Sequence, residues 1–178
     1  QLAREIQRSG RQVILSTGEH VRAPRSYRGR DVQWWLDASG LMDTSYRDVD
    51  DISRVRSLPS FQLAGSAEPL DFNGLQADGV EIVGRLSMIR DGQALFSGGL
   101  RNHCALADLK LDRMLDGFDA WADANGLREA LPRGDRPDAT VLTGTPRLGL
   151  DLTSGEVRSV LWATGYRPDH SFLELPVF

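Results

Sequence analysis

Cysteine is almost missing from this chain. Cys104 is the single one, so neither an internal disulfide nor a cysteine-built metal cage can form within it. That usage fits a reducing compartment, and a cytoplasmic location is expected. No apolar run approaches the ~20 residues that a membrane helix needs, and the first residues lack the apolar centre of a signal peptide. An excess of positive charge is lacking too, the formal net charge being -4. Because phosphate neutralisation supplies most non-specific nucleic-acid affinity, this argues against general polyanion binding. Lysine occurs once, at Lys110, an arginine bias that a GC-rich coding genome would produce and that carries no functional weight. The histidines, His20, His103 and His170, stand far apart, so no pair of metal-binding helical spacing exists. A Gly-x-Ser-x-Gly elbow is absent as well, which leaves hydrolase readings without support.

What is present is ordinary globular material: 178 residues, 40% hydrophobic and 26% charged, enough for one domain or at most a domain and a half. Leu2, Ala3 and Ile6 form an apolar stripe that Gly10 stops, and Gln12-Val13-Ile14-Leu15-Ser16 follows as a buried, parallel strand. Helix, glycine and buried strand make the second half of a βαβ unit, which places the first strand and its turn before Gln1. Residues 17–30 read as a long basic loop, after which Asp31 caps a short helix to about Ala38, ended by Gly40.

A weak helical pattern at Val49, Ile52 and Val55 is followed by a short strand at 61–65 and a helix at 70–77. Val80 to Leu86 reads as one strand, paired through the Asp91-Gly92 turn with Gln93 to Ser97. The longest helix spans about Leu100 to Asn125, with Leu106, Leu109, Met114, Leu115, Phe118 and Trp121 near a 3.6-residue period and its carboxylates on the exposed side. Residues 128–148 form a proline-bearing loop that either wanders over the surface or links two bodies. Leu150 to Leu152 and Val157 to Ala163 close the chain as a hairpin or strand pair.

Two places could carry chemistry. The tip of the strand ending at Ser16 reads Ser16-Thr17-Gly18-Glu19-His20-Val21-Arg22-Ala23-Pro24-Arg25. In dinucleotide-binding folds this tip reads the adenosine ribose: an acid selects NAD, whereas arginines accept the 2′-phosphate of NADP. Arg22 and Arg25 favour NADP against Glu19, unless they are solvated charges or pair with Asp31. With Tyr27, Trp34 and Trp35 the same run could stack single-stranded nucleic acid, but adjacent Trp34 and Trp35 cannot share one helix face, so at least one packs inward. The second place is Trp162-Ala163-Thr164-Gly165-Tyr166, where a strand ending in small residues would let backbone approach a ligand. Cys104, next to His103, suits a small apolar core filler.

The segment from Gln1 to Ser16, the run Arg22 to Asp31, the stretch Gly79 to Leu86 with Ala107-Asp108, and the closing Leu161-Trp162-Ala163-Thr164-Gly165-Tyr166-Arg167-Pro168-Asp169 together resemble bacterial flavoproteins of the flavin-containing monooxygenase type. The similar branch is one described as flavoproteins involved in potassium transport. The resemblance implies an α/β, Rossmann-like three-layer FAD- and NAD(P)-binding fold lacking its N-terminal strand and Gly-rich turn. Residues 1–150 would be an NAD(P)H-binding domain and 151–178 a strand segment returning to an FAD-binding domain.

It further implies FAD and NADPH as cofactors and a small organic substrate. Hydride would pass from NADPH to FAD, and reduced flavin would use oxygen to oxygenate that substrate, the cofactors supplying the chemistry. Ser16, Thr17, Arg22 and Arg25 would meet NADPH, and Thr164, Gly165 and Tyr166, with Arg167 as a weaker candidate, would lie where the two cofactors meet. No catalytic side chain and no metal ligand is assigned. Nucleic acid and membrane insertion are not expected, and a homodimer is a candidate assembly. Two other classes stay open: a nucleotide-sensing regulatory flavoprotein without turnover, and an interaction domain on a degenerate Rossmann scaffold.

Overall fold

In the computed structural model, which describes residues 1–43, 45–51, 70–165 and 172, the first element is helix α1, Leu2–Arg8, closed by Gly10 at φ 86. The expected apolar stripe does not anchor it, since Leu2 is exposed. The residue that α1 buries is Arg4, whose guanidinium meets Asp78 at 2.9 Å. Strand β1, Ile14–Ser16, runs parallel to β4, Glu81–Val83, in the register Ile14↔Glu81, Leu15↔Ile82, Ser16↔Val83. It is half-buried, not buried, because β4 flanks it on one side only among the described residues.

The basic loop is more ordered than its lack of periodicity suggests. Ser26–Tyr27 (β2) and Arg30–Asp31 (β3) pair as a minute hairpin around Arg28 and Gly29, both at positive φ. A left-handed arginine is uncommon. Here the side chain compensates: its Nε donates to the Pro132 carbonyl at 3.0 Å, Nη2 to the Arg128 carbonyl at 2.9 Å and Nη1 to Asp119 at 3.1 Å.

Asp31 then accepts from the Gln33 N–H at 2.9 Å and starts α2, Val32–Ala38, with Gly40 just past its end, as expected. Two 3-10 turns follow, Leu41–Asp43 and Tyr46–Asp48. The strand expected at 61–65, and the pattern positions Ile52 and Val55, lie outside the described residues. Asp71 caps α3, Phe72–Ala77, by accepting from the Gly74 N–H at 2.8 Å.

The single strand expected from 80 to 86 is two strands. It breaks at Gly84, whose α-carbon lies against the Ser97 carbonyl so closely that a Cβ would overlap that oxygen. Beyond the break, β5 (Leu86–Arg90) and β6 (Gln93–Phe96) form the expected hairpin through Asp91 and Gly92, both at positive φ. Strand β7, Gly149–Asp151, adds to β6 antiparallel, giving a three-stranded sheet separate from β1–β4. The expected partner strand at 157–163 does not form. Its residues pair with no strand among the described residues, and Val160, Leu161 and Trp162 are exposed.

Helix α4, Leu100–Ala124, unites the structure by covering two cores. Leu100 and Cys104 pack with Leu75, Val80 and Ile82 over the parallel pair. Leu111, Leu115, Phe118 and Ala122 pack with Tyr27, Val32 and Trp35. The buried stripe therefore includes the small residues Cys104, Ala107 and Ala122 beside Leu100, Leu111, Leu115 and Phe118, while Leu106 and Leu109 face outward. Cys104 is a core filler, its thiol pushed up by burial and then by Asp108. Trp35 is wholly buried, stacked on Phe118 at 5.4 Å, and its Nε1 donates to the Tyr27 carbonyl at 2.7 Å. Tyr27 and Trp35 thus belong to the core and offer no face to nucleic-acid bases.

The proline-bearing loop runs over the surface of this body, where Asn73 holds it by donating to the Ala139 carbonyl and accepting from the Val141 N–H, both at 2.9 Å. The result is a mixture of helices and small separate sheets, in which no three-layer Rossmann arrangement stands out among the described residues. Among the described residues no helix is long and apolar enough to cross a membrane.

Candidate functional site

The site begins where β1 ends. Ser16 closes the strand, and its hydroxyl donates to the Gly84 carbonyl at 2.9 Å while accepting from the Leu86 N–H at 3.0 Å. One side chain thereby bridges both sides of the break between β4 and β5. Thr17 extends the parallel pair by donating its N–H to the Val83 carbonyl. His20 turns back over this end, its Nδ1 3.1 Å from the Gly18 carbonyl and its ring 4.6 Å from that of Phe72. Burial lowers its pKa from the ordinary 6.5; the Gly18 contact opposes that, and the nearby Arg22 charge reinforces it.

Arg22 points inward. Its side chain is 9% exposed, and its guanidinium donates to Asp108, lies 3.6 Å from Asp71 and donates to the Asp138 carbonyl at 3.0 Å. Asp108 also accepts from Thr140, from the N–H at 2.8 Å and from the hydroxyl at 2.9 Å. Burial pushes the Asp108 carboxyl up, but the Thr140 N–H, the Arg22 guanidinium and the Thr140 hydroxyl outweigh it and hold the group below its ordinary range. Four segments meet at the Arg22 guanidinium: the loop after β1, the cap of α3, helix α4 and the surface loop.

The α4 carboxylates are therefore not all on the exposed side. Asp119 is the second exception, accepting from the Tyr27 hydroxyl at 2.8 Å, from Arg28 and from Arg136 at 3.0 Å. The sequence does hold a signal for Asp108. It shares the helical face of Cys104, Leu111 and Leu115, and an acid in a buried stripe calls for a cation.

Arg25 stands differently. It meets Asp31 at 2.8 Å with both side chains more than a third exposed, the pairing that the sequence offered as the plain alternative to phosphate binding. Ser16, Thr17, Arg22 and Arg25 thus share one strand end and one loop. Thr164 and Gly165 are exposed and belong to no helix or strand, so they do not end a buried strand. Tyr166 and Arg167 lie outside the described residues.

Two recesses flank the loop. A small one of about 50 Å³ is lined by Glu19, His20, His103 and Lys110, and the His103 Nδ1 is buried with no hydrogen-bond partner among the described residues. A larger cleft of about 760 Å³ opens between Val21, α2 and α4, with Leu36, Leu41, Met42 and Met114 along its walls. Lys110 lines both, a position to which composition had given no weight. No known protein family, curated protein or solved structure matches the chain.

Proposed function

We propose that this chain holds the NADPH-binding part of an FAD-dependent oxidoreductase of the monooxygenase type, on a Rossmann-like framework. The observation that carries the reading is the parallel pairing of β1 with β4, with a basic loop leaving the carboxyl end of β1. Parallel neighbours require a crossover connection, and nucleotides bind beyond the carboxyl ends of strands in open α/β sheets. Thr17 and Gly18 stand at that end.

Of the two loop arginines, Arg25 is the better suited to the adenosine 2′-phosphate. Its pair with Asp31 lies in solvent and contributes at most about 1 kcal/mol, so a phosphate can replace the carboxylate. Arg22 is committed to Asp108 and Asp71 and gives the loop its shape. NADPH, when bound, supplies hydride; the part of these residues is to hold and orient it. FAD finds no comparable cradle among the described residues, since Thr164 and Gly165 are exposed in an irregular segment.

The test is a titration with NADPH and NADH, followed by the nicotinamide fluorescence. NADPH is expected to bind tighter, and Arg25→Ala to narrow the ratio about tenfold, the effect of one charge-assisted contact. Failure of both nucleotides to bind would overturn the reading. Bleaching of added FAD by NADPH under anaerobic conditions would argue for turnover. Binding without bleaching favours the sensing role over turnover.

A further inference from the structure

The larger cleft has the size and lining of a small-molecule site. Its volume of about 760 Å³ lies within the range that such pockets occupy, and its walls are mainly apolar: Val21, Leu36, Leu41, Met42 and Met114. Met42 and Met114 are unbranched and polarizable, so this wall can adapt to a flexible apolar body better than to a rigid one.

The polar groups at the rim decide what that body must carry. Arg22 reaches the cleft, but its charge is neutralised by Asp108 and Asp71. Lys110 is different: it is exposed and makes no ion pair with any described residue. On α2, Gln33 offers a side-chain amide, and Asp37, one turn further on, adds a negative charge to the same rim. The cleft therefore presents one cation without an ion-pair partner among the described residues beside an apolar wall, with a carboxylate that repels a second anionic group.

We propose that this cleft binds a monocarboxylic acid with a flexible apolar tail, the carboxylate held by Lys110 and the tail laid along Leu36, Leu41 and Met114. The ligand class follows from charge complementarity. A neutral lipid-like molecule would gain nothing from the Lys110 charge, and a dicarboxylate would place its far charge on the apolar wall or beside Asp37. The proposal is independent of nucleotide binding at the end of β1, which uses other side chains.

Lys110 also supplies the probe, because it is the chain's one lysine. Reductive ¹³C-methylation retains its charge and labels no other side chain. Octanoate is expected to shift that signal to saturation. Octan-1-ol, with the same tail and no charge, and octanedioate, with a second charge, are each expected to bind more weakly, by up to about fivefold. By calorimetry Lys110→Met should weaken octanoate about fivefold and Lys110→Arg should leave it nearly unchanged. Leu36→Glu should abolish it while circular dichroism shows the fold intact; if Leu36→Glu does not fold, Met114→Gln, which makes the wall polar at similar length, should weaken it severalfold. An unsaturable shift, equal affinity for octanoate and octan-1-ol, or full affinity in Lys110→Met would overturn the proposal.

Discussion

The guanidinium of Arg22 and the carboxylate of Asp108, 86 residues apart in sequence, form a charge pair at the seam between the two hydrophobic cores. The pair fixes the loop after β1 to the long helix. Removing one partner of a buried pair leaves an uncompensated charge, which costs more than the pair itself contributes. Asp108 retains some exposure and Arg22 keeps Asp71, so Asp108→Asn is expected to cost about 2 kcal/mol, less than a fully buried pair would. Urea unfolding measures it, and a double-mutant cycle with Arg22→Gln should show coupling between the two sites. Strict additivity would show that the pair is energetically idle.

Acid should destabilise the protein in two separate steps. The native pKa of His20 is lowered by its burial, so the unfolded chain takes up its proton first; stability is whole above the ordinary 6.5 and falls as pH drops below it. Asp108 and Asp119 are held below their ordinary 3.8, so what they contribute is complete above that value and is lost as pH falls through their lower native values. Thermal midpoints should therefore decline as pH falls below the ordinary histidine value of 6.5, then again below the ordinary carboxylate value of 3.8. His20→Gln should flatten the upper decline and leave the lower one. An unchanged upper decline would assign that step elsewhere.

The sequence was most legible where structure is decided locally. Asp31 starts its helix, Gly10 and Gly40 follow their helix ends, and Asp91-Gly92 turns its hairpin, because each depends on one residue's backbone and its immediate neighbours. What failed needed a distant partner. The run at 157–163 has the composition of a strand, but a strand exists only beside another, and none among the described residues pairs with it. The break at Gly84 depends on the Ser97 carbonyl, and the left-handed Arg28 on carbonyls about a hundred residues away. At the candidate site the residue types were readable, but the difference between Arg22, turned inward, and Arg25, in solvent, lies in where Asp108 and Asp71 come to stand.

Trp35 joins packing and hydrogen bonding in one side chain. Trp35→Phe keeps an aromatic ring against Phe118 but removes part of the buried volume and leaves the Tyr27 carbonyl without its 2.7 Å donor. The two losses together predict about 2–3 kcal/mol, read as a lower denaturation midpoint with an unchanged slope. A cost below about 1 kcal/mol would mean that water reaches the freed carbonyl.

Two glycine-to-alanine changes should move stability in opposite directions. At Gly84 the added Cβ would meet the backbone oxygen of Ser97, which no rotamer change can withdraw. Relief requires that the β4–β5 corner and the end of β6 move apart, straining the Ser97 N–H to Arg85 carbonyl bond of 2.8 Å and the two bonds that Ser16 makes there. Overpacking of this kind costs about 2–3 kcal/mol, so Gly84→Ala should lower the urea midpoint and speed amide exchange in β5 and β6. Gly117 lies within α4, where a Cβ would meet nothing within 4 Å. Alanine there gains about 0.5–1 kcal/mol by restricting the unfolded chain and favouring helix. If Gly84→Ala were instead neutral, the corner would be more yielding than the bonds across it indicate.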